Sequence, residues 1–103
     1  MNVVMTATTG VVNKDTIFRF NQQDNVVFAQ YEGGGILRGH LVGNLNGSKL
    51  QFRYCQIDEN NNLDGGISDC DLLRMPDGRI RMIEKFQWES RKDVGENIFE
   101  EIA

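Results

Sequence analysis

The sequence predicts an all-β fold, a single antiparallel up-and-down meander that closes into a barrel of about eight strands. Three observations carry this prediction. Runs rich in Val, Ile, Phe, Tyr and Thr recur along the chain, each broken by turn residues after about a dozen positions. No stretch repeats its apolar residues with a helical period, and proline occurs once, at Pro76. The breaks are short enough to join neighbouring strands as hairpins, which favours a meander over a Greek key.

The N-terminal segment, about residues 2–8, supplies a first strand. The breaks NQQDN (21–25), EGGG (32–35), NLNGS (44–48), DENNNLDGG (58–66), MPDGR (75–79) and SRKDVG (90–95) delimit the others. About eight strands is the size at which a barrel's interior is just filled by side chains or holds one small ligand. Residues 1–103 form one domain, with no repeat, linker or low-complexity segment. A chain of this length buries roughly two-thirds of its unfolded surface and needs no disulfide or metal to fold.

Turn chemistry predicts the register. Asn46-Gly47 suits a two-residue type I′ turn that pairs Leu45 with Ser48, setting Leu41 opposite Phe52 and Gly39 opposite Tyr54. Met75-Pro76-Asp77-Gly78-Arg79 suits a type I turn with Gly78 in a G1 bulge. That turn pairs Met75 with Arg79, Leu72 with Met82 and Cys70 with Glu84, whereas a two-residue Asp77-Gly78 turn would aim Asp69 and Asp71 inward. A Gly33-Gly34 turn brings Phe28 beside Gly39, and one around Gln23 brings Phe18 beside Phe28. A turn around Lys92 brings Phe86 beside Ile98.

These turns agree in phase and predict an interior in layers. Phe20, Val26, Leu41, Phe52, Leu72, Met82 and Ile102 form an apolar, plugged end. Phe18, Phe28, Gly39, Tyr54, Cys70, Glu84 and Glu100 form the middle. Gln30, Leu37, Gln56, Ser68, Phe86 and Ile98 lie nearer the other end, with Trp88 and Glu96 beyond. Polarity rises toward the EGGG, DENNNLDGG and SRKDVG loops, so that end is expected to be the mouth.

Composition excludes several functions. A net charge of −4 and dispersed acids argue against nucleic acid as a partner, because phosphate neutralisation needs clustered Lys and Arg. No apolar run approaches the ~20 residues of a membrane helix, and MNVVMTATTG lacks the basic and apolar regions of a signal peptide. Two cysteines without an export signal predict free thiols in a reducing compartment, the cytoplasm by default.

The candidate site follows from IRMIEKFQWE (80–89), where the face bearing Ile80, Met82, Phe86 and Trp88 also carries Glu84. On the predicted register Glu84 meets Glu100 inside the barrel, near Tyr54 and Cys70. Two carboxylates that close do not both ionise easily, so the pair is a candidate for ligand contact or acid–base work. The simpler reading is a buried polar network in which each acid is satisfied by Tyr54, Gln56, Arg74 or water. Cys70 reads as a buried structural thiol, and Cys55 falls on the opposite face, which rules against a disulfide. The only histidine, His40, is expected outside opposite Arg53, without the partners of a triad or metal site. Asp58 to Asp69 mimics the oxygen spacing of a calcium loop, but Leu63 replaces the required glycine, so a solvated hairpin loop is expected and no metal.

YEGGGILRGHLVG, FRYCQI, PDGRIRMIEKFQW and GENIFEEI together resemble a family of small bacterial proteins of about this length, often labelled "N-acetylglutamate synthase". The resemblance runs from about Thr16 onward and implies a small antiparallel barrel similar in shape to avidin and lipocalins. The label finds no support in the residues. An acetyltransferase holds the pyrophosphate of acetyl-CoA at a glycine-rich strand-to-helix turn, whereas Gly33-Gly34-Gly35 sits between two strands. The leading expectation is therefore a barrel without catalytic residues or cofactor that binds a small polar or amphipathic molecule. Its ligand-binding residues would be Tyr54, Gln56, Cys70, Glu84, Trp88 and Glu100. A second reading is a filled barrel that self-associates through outer Ile36, Val42, Ile57, Ile83 and Phe99, and a third is an enzyme using Glu84 and Glu100.

Overall fold

The computed structural model describes residues 3–9, 14–89 and 94–102. Its strands are β1 (Val3–Thr9), β2 (Ile17–Gln23), β3 (Val26–Gly33), β4 (Ile36–Asn46), β5 (Lys49–Asp58), β6 (Leu63–Arg74), β7 (Ile80–Trp88) and β8 (Val94–Glu101). They form a closed antiparallel barrel in sequential order, the meander that the turn spacing predicts. Closure pairs β8 with β1, where the Ile102 amide donates to the Val4 carbonyl at 2.8 Å. Every described strand thus has two neighbours, so none of them stands at a sheet edge.

The β6–β7 hairpin is as predicted. Gly78 takes a positive φ of 89°, Met75 pairs with Arg79 through its amide at 2.8 Å, and Cys70 stands opposite Glu84. Asp69 and Asp71 accordingly stay outside, where Asp71 pairs with Lys49.

Four other hairpins differ from expectation, among them β3–β4, where Gly39 meets Tyr31 and not Phe28. In β4–β5 the loop residues are Gly47 and Ser48, not Asn46 and Gly47, so Asn46 pairs with Lys49. Only Gly47 has positive φ there, at 64°, which suits a turn with glycine first, as in type II′. The strand slides by two residues, so the faces survive but partners change. Leu41 meets Tyr54, Gly43 meets Phe52 and Gly39 meets Gln56.

The β2–β3 turn sits at Asp24-Asn25, with Asp24 at a φ of 56°, a conformation its short polar side chain tolerates. This odd displacement inverts β3. Val27, Ala29 and Tyr31 turn inward, while Val26, Phe28 and Gln30 turn out. Strand β8 inverts likewise: Asn97 and Phe99 enter the interior, and Ile98, Glu100 and Ile102 leave it. Leu37 is also exposed, where a register irregularity interrupts β4 between Ile36 and Arg38.

The core fills the end of the barrel opposite the EGGG loop. Met5, Val27, Leu50, Met82 and Phe99 are fully buried there, with Val3, Leu45, Leu72 and Ile80 packed against them. Phe18 stacks on Tyr31 with ring centroids 4.4 Å apart and meets Phe99 edge-on at 4.8 Å, carrying the packing up to mid-barrel. Above this level the interior opens.

Candidate functional site

A cavity of about 350 Å³ occupies the upper half of the barrel and opens between the β3–β4 and β5–β6 loops. This is the end that sequence polarity marks as the mouth. Gly34, Gly35, Glu59 and Asn60 contribute to its rim. The β5–β6 loop is shaped by Asp58, whose Oδ1 accepts from the amides of Asn60 and Asn62 at 2.9 Å. The carboxylate thus organises an ordinary polar turn. Among the described residues no group of three or more His, Cys, Asp or Glu converges as metal ligands do.

Glu84 lies toward the floor. It projects inward from β7 between Met82 and Phe86 and is only 5% exposed. Ser68 Oγ, on β6, donates to one carboxylate oxygen, and Asn97 Nδ2, on β8, donates to the other at 2.9 Å. Removal from water raises the Glu84 pKa above its ordinary 4.5, because burial penalises the charged form more than the two donors favour it. The carboxylate on an otherwise apolar strand face is therefore held by two neutral side chains, not by a second acid.

Glu100 corrects the expected pair. With β8 inverted it points outward, where Arg81 Nη2 approaches its Oε1 at 3.4 Å. Asn97 fills the inner place assigned to Glu100, which removes the two-carboxylate geometry. Arg74, another expected partner, instead donates to the Gly78 carbonyl at 2.7 Å on the outside.

Tyr54, Gln56, Glu84 and Trp88 do come together as cavity-lining residues. Tyr31, which the inverted strand brings inside, joins them and donates its hydroxyl to Gln56 Oε1 at 2.9 Å. Burial, with Glu84 nearby, pushes the Tyr31 phenol well above its ordinary 10.0, so it serves as a neutral donor. Cys70 is 4% exposed and packs in the core outside the cavity lining. Burial first and Glu84 second raise its thiol above the ordinary 9.0, which leaves it a poor nucleophile. Cys55 is exposed on the other face, and both cysteines are free. His40 is exposed, facing Cys55 instead of Arg53 across β4–β5.

The cavity walls are aromatic, and glycines keep the rings against the sheet. Tyr31 pairs with Gly39, Tyr54 with Gly66, and Phe86 with Gly95 across adjacent strands. A β-carbon at Gly39 or Gly95 would overlap the opposing ring, and one at Gly66 would meet the Tyr54 hydroxyl and the Gln87 carbonyl. Glycine in a strand ordinarily weakens it, and a ring covering the gap is the known compensation. Here the arrangement also leaves free the space that the rings would otherwise enter.

Two residues of the site, Tyr31 and Asn97, escape the sequence reading because their strands are read in the wrong phase. Cross-strand Gly–aromatic pairing would have found Asn97, since only the observed register places Phe86 opposite Gly95. It does not choose the phase of β3, where Phe28 beside Gly39 satisfies it as well as Tyr31 does.

A family model described as "Avidin-like protein" matches residues 1–102. Searches of curated proteins and of solved structures returned no match.

Proposed function

Starting from a chain that belongs to the avidin-like family, we propose that this barrel is a non-enzymatic binding protein for one small polar or amphipathic molecule. The observation that carries the reading is the open, aromatic-walled upper half of the interior above the Ser68–Glu84–Asn97 group. A cavity of about 350 Å³ with few convergent polar groups has the usual anatomy of a small-molecule site. The apolar part of a ligand would lie against Tyr54, Phe86 and Trp88, and its polar part would meet Gln56, Glu84 and Asn97. Tyr31 holds Gln56 in place through its hydroxyl.

A thermal-shift screen of amphipathic metabolites tests this. Stabilisation should grow with ligand concentration by mass action. It should disappear in Asn97→Leu, which removes a floor donor, and in Gly39→Ala, which drives Tyr31 into the cavity. Stabilisation unchanged in both variants would mean that the ligand sits elsewhere.

A second reading, self-association, is favoured by one observation: Phe28 (41% exposed) and Val42 (56%) pair across the outer face of β3–β4. Val26, also exposed, extends this patch. The patch differs from the expected one, because Phe99 is 1% exposed inside the core. If it mediates assembly, Phe28→Ser should lower the mass measured by light scattering at high concentration. A monomer before and after the change would remove this reading.

A further inference from the structure

The cavity's chemistry narrows the class of ligand, granted the binding reading above. Its lining contains four carboxyl side chains, Asp58, Glu59, Asp64 and Glu84, and no Lys, Arg or His among the described residues. Three of these acids come from the β5–β6 turn and its flanks near the mouth, while Glu84 lies deep. A cleft lined by one sign of charge within low-dielectric walls concentrates its field and draws in the opposite sign. The acids do not converge as a metal site would, so they act as a field around an opening and not as a chelate.

The walls point the same way. Trp88 stands nearly perpendicular to both Tyr54 and Phe86, with interplanar angles of 72° and 78° and centroid separations of 5.6 Å in each case. Three rings set at such angles make a corner of faces and edges, the kind of surface on which an organic ammonium is held by ring quadrupoles. An anion entering the same space would lose its water and find no basic side chain among the described lining residues to replace it.

We infer that the cavity takes an organic cation, a protonated amine carried on a small apolar body, with the body among the rings of Tyr54, Phe86 and Trp88. The rim acids Glu59 and Asp64 select the charge on entry, and the carboxyl of Glu84 receives it or a hydrogen-bond donor at depth.

Trp88 is the only tryptophan, so its emission reports the cavity directly. The test titrates the full chain with three probes that share one ring and linker: phenethylamine, 2-phenylethanol and 3-phenylpropionate. The amine should bind about tenfold tighter than the alcohol, and the propionate weakest of all. Raising NaCl to about 1 M should shrink the amine-to-propionate ratio, as screening requires. The double substitution Glu59→Gln, Asp64→Asn, at positions on the rim, should cut that ratio at least about threefold without altering the circular dichroism. Equal or tighter binding of the alcohol or the propionate would overturn the cation inference while leaving the ligand pocket intact. Failure of all three probes to change Trp88 emission at millimolar concentration would overturn both.

Discussion

The two ends of this barrel are made from the same eight strands but solve opposite problems. At the closed end inward positions carry Val27, Leu50, Met82 and Phe99, all fully or almost fully buried and tightly packed. At the open end the same strands carry Tyr54, Gln56 and Trp88, which remain partly exposed around a cavity. Continuous backbone pairing lets one end be left unfilled, because the ladder hydrogen bonds and the opposite core hold the walls in place. Stability and binding are thus separated along the barrel axis, and substitutions at the two ends should have different consequences.

The largest effect on folding is expected at the closed end. Phe99→Ala removes a ring that is 1% exposed and should cost about 3–5 kcal/mol in urea denaturation. The same experiment on Trp88→Ala, partly exposed at the cavity, should cost clearly less and instead abolish ligand-dependent stabilisation. Similar losses from both would mean that the ends are not distinct.

An intermediate effect is expected where the glycines meet the rings. Gly95→Ala overlaps Phe86, whose ring must swing toward the cavity, with a cost of about 1–3 kcal/mol. Binding should weaken more than stability does, which thermal shift with and without ligand separates.

Glu84 gives a pH-dependent contrast. Its folded pKa lies above 4.5, so the folded state keeps the proton to higher pH than the unfolded chain. The associated stability is fully present below the unfolded pKa and is lost as pH rises through the folded one. Glu84→Gln keeps a neutral hydrogen-bonding group beside Ser68 and Asn97 and does not titrate. Relative to the wild type, this variant should therefore gain stability over the range in which pH is raised above 4.5 in urea titrations. A constant difference across that range would mean that Glu84 is not buried as described.

The smallest effect belongs to neither end. Lys49 and Asp71 pair on the outer wall with side chains 73% and 45% exposed, so Lys49→Ala should cost under about 1 kcal/mol.

How much of this was legible in the sequence depended on how completely each turn specifies itself. MPDGR contains proline, aspartate and a glycine suited to positive φ, which leaves one sensible hairpin. The inward placement of Glu84 opposite Cys70 followed directly. VVFAQY offers apolar residues in both phases, and NIFEE mixes polar and apolar in both, so alternation could not choose. Their phase shows in the Asp24-Asn25 turn and in the β7–β8 pairing, and a one-residue error in either register exchanges the two faces of a strand. That is why Phe28 and Glu100 were expected inside and Tyr31 and Asn97 were not. Strands read in the correct phase supplied Tyr54, Gln56, Glu84 and Trp88 to the site.

The separation of the two ends is tested most directly by two-dimensional NMR of the labelled protein during titration with phenethylamine. Shift changes should concentrate on Tyr31, Gln56, Glu84, Trp88 and Asn97, leaving Val27 and Leu50 at the closed end nearly still. Changes centred on Phe28 and Val42 instead would place binding on the outer wall and contradict the account.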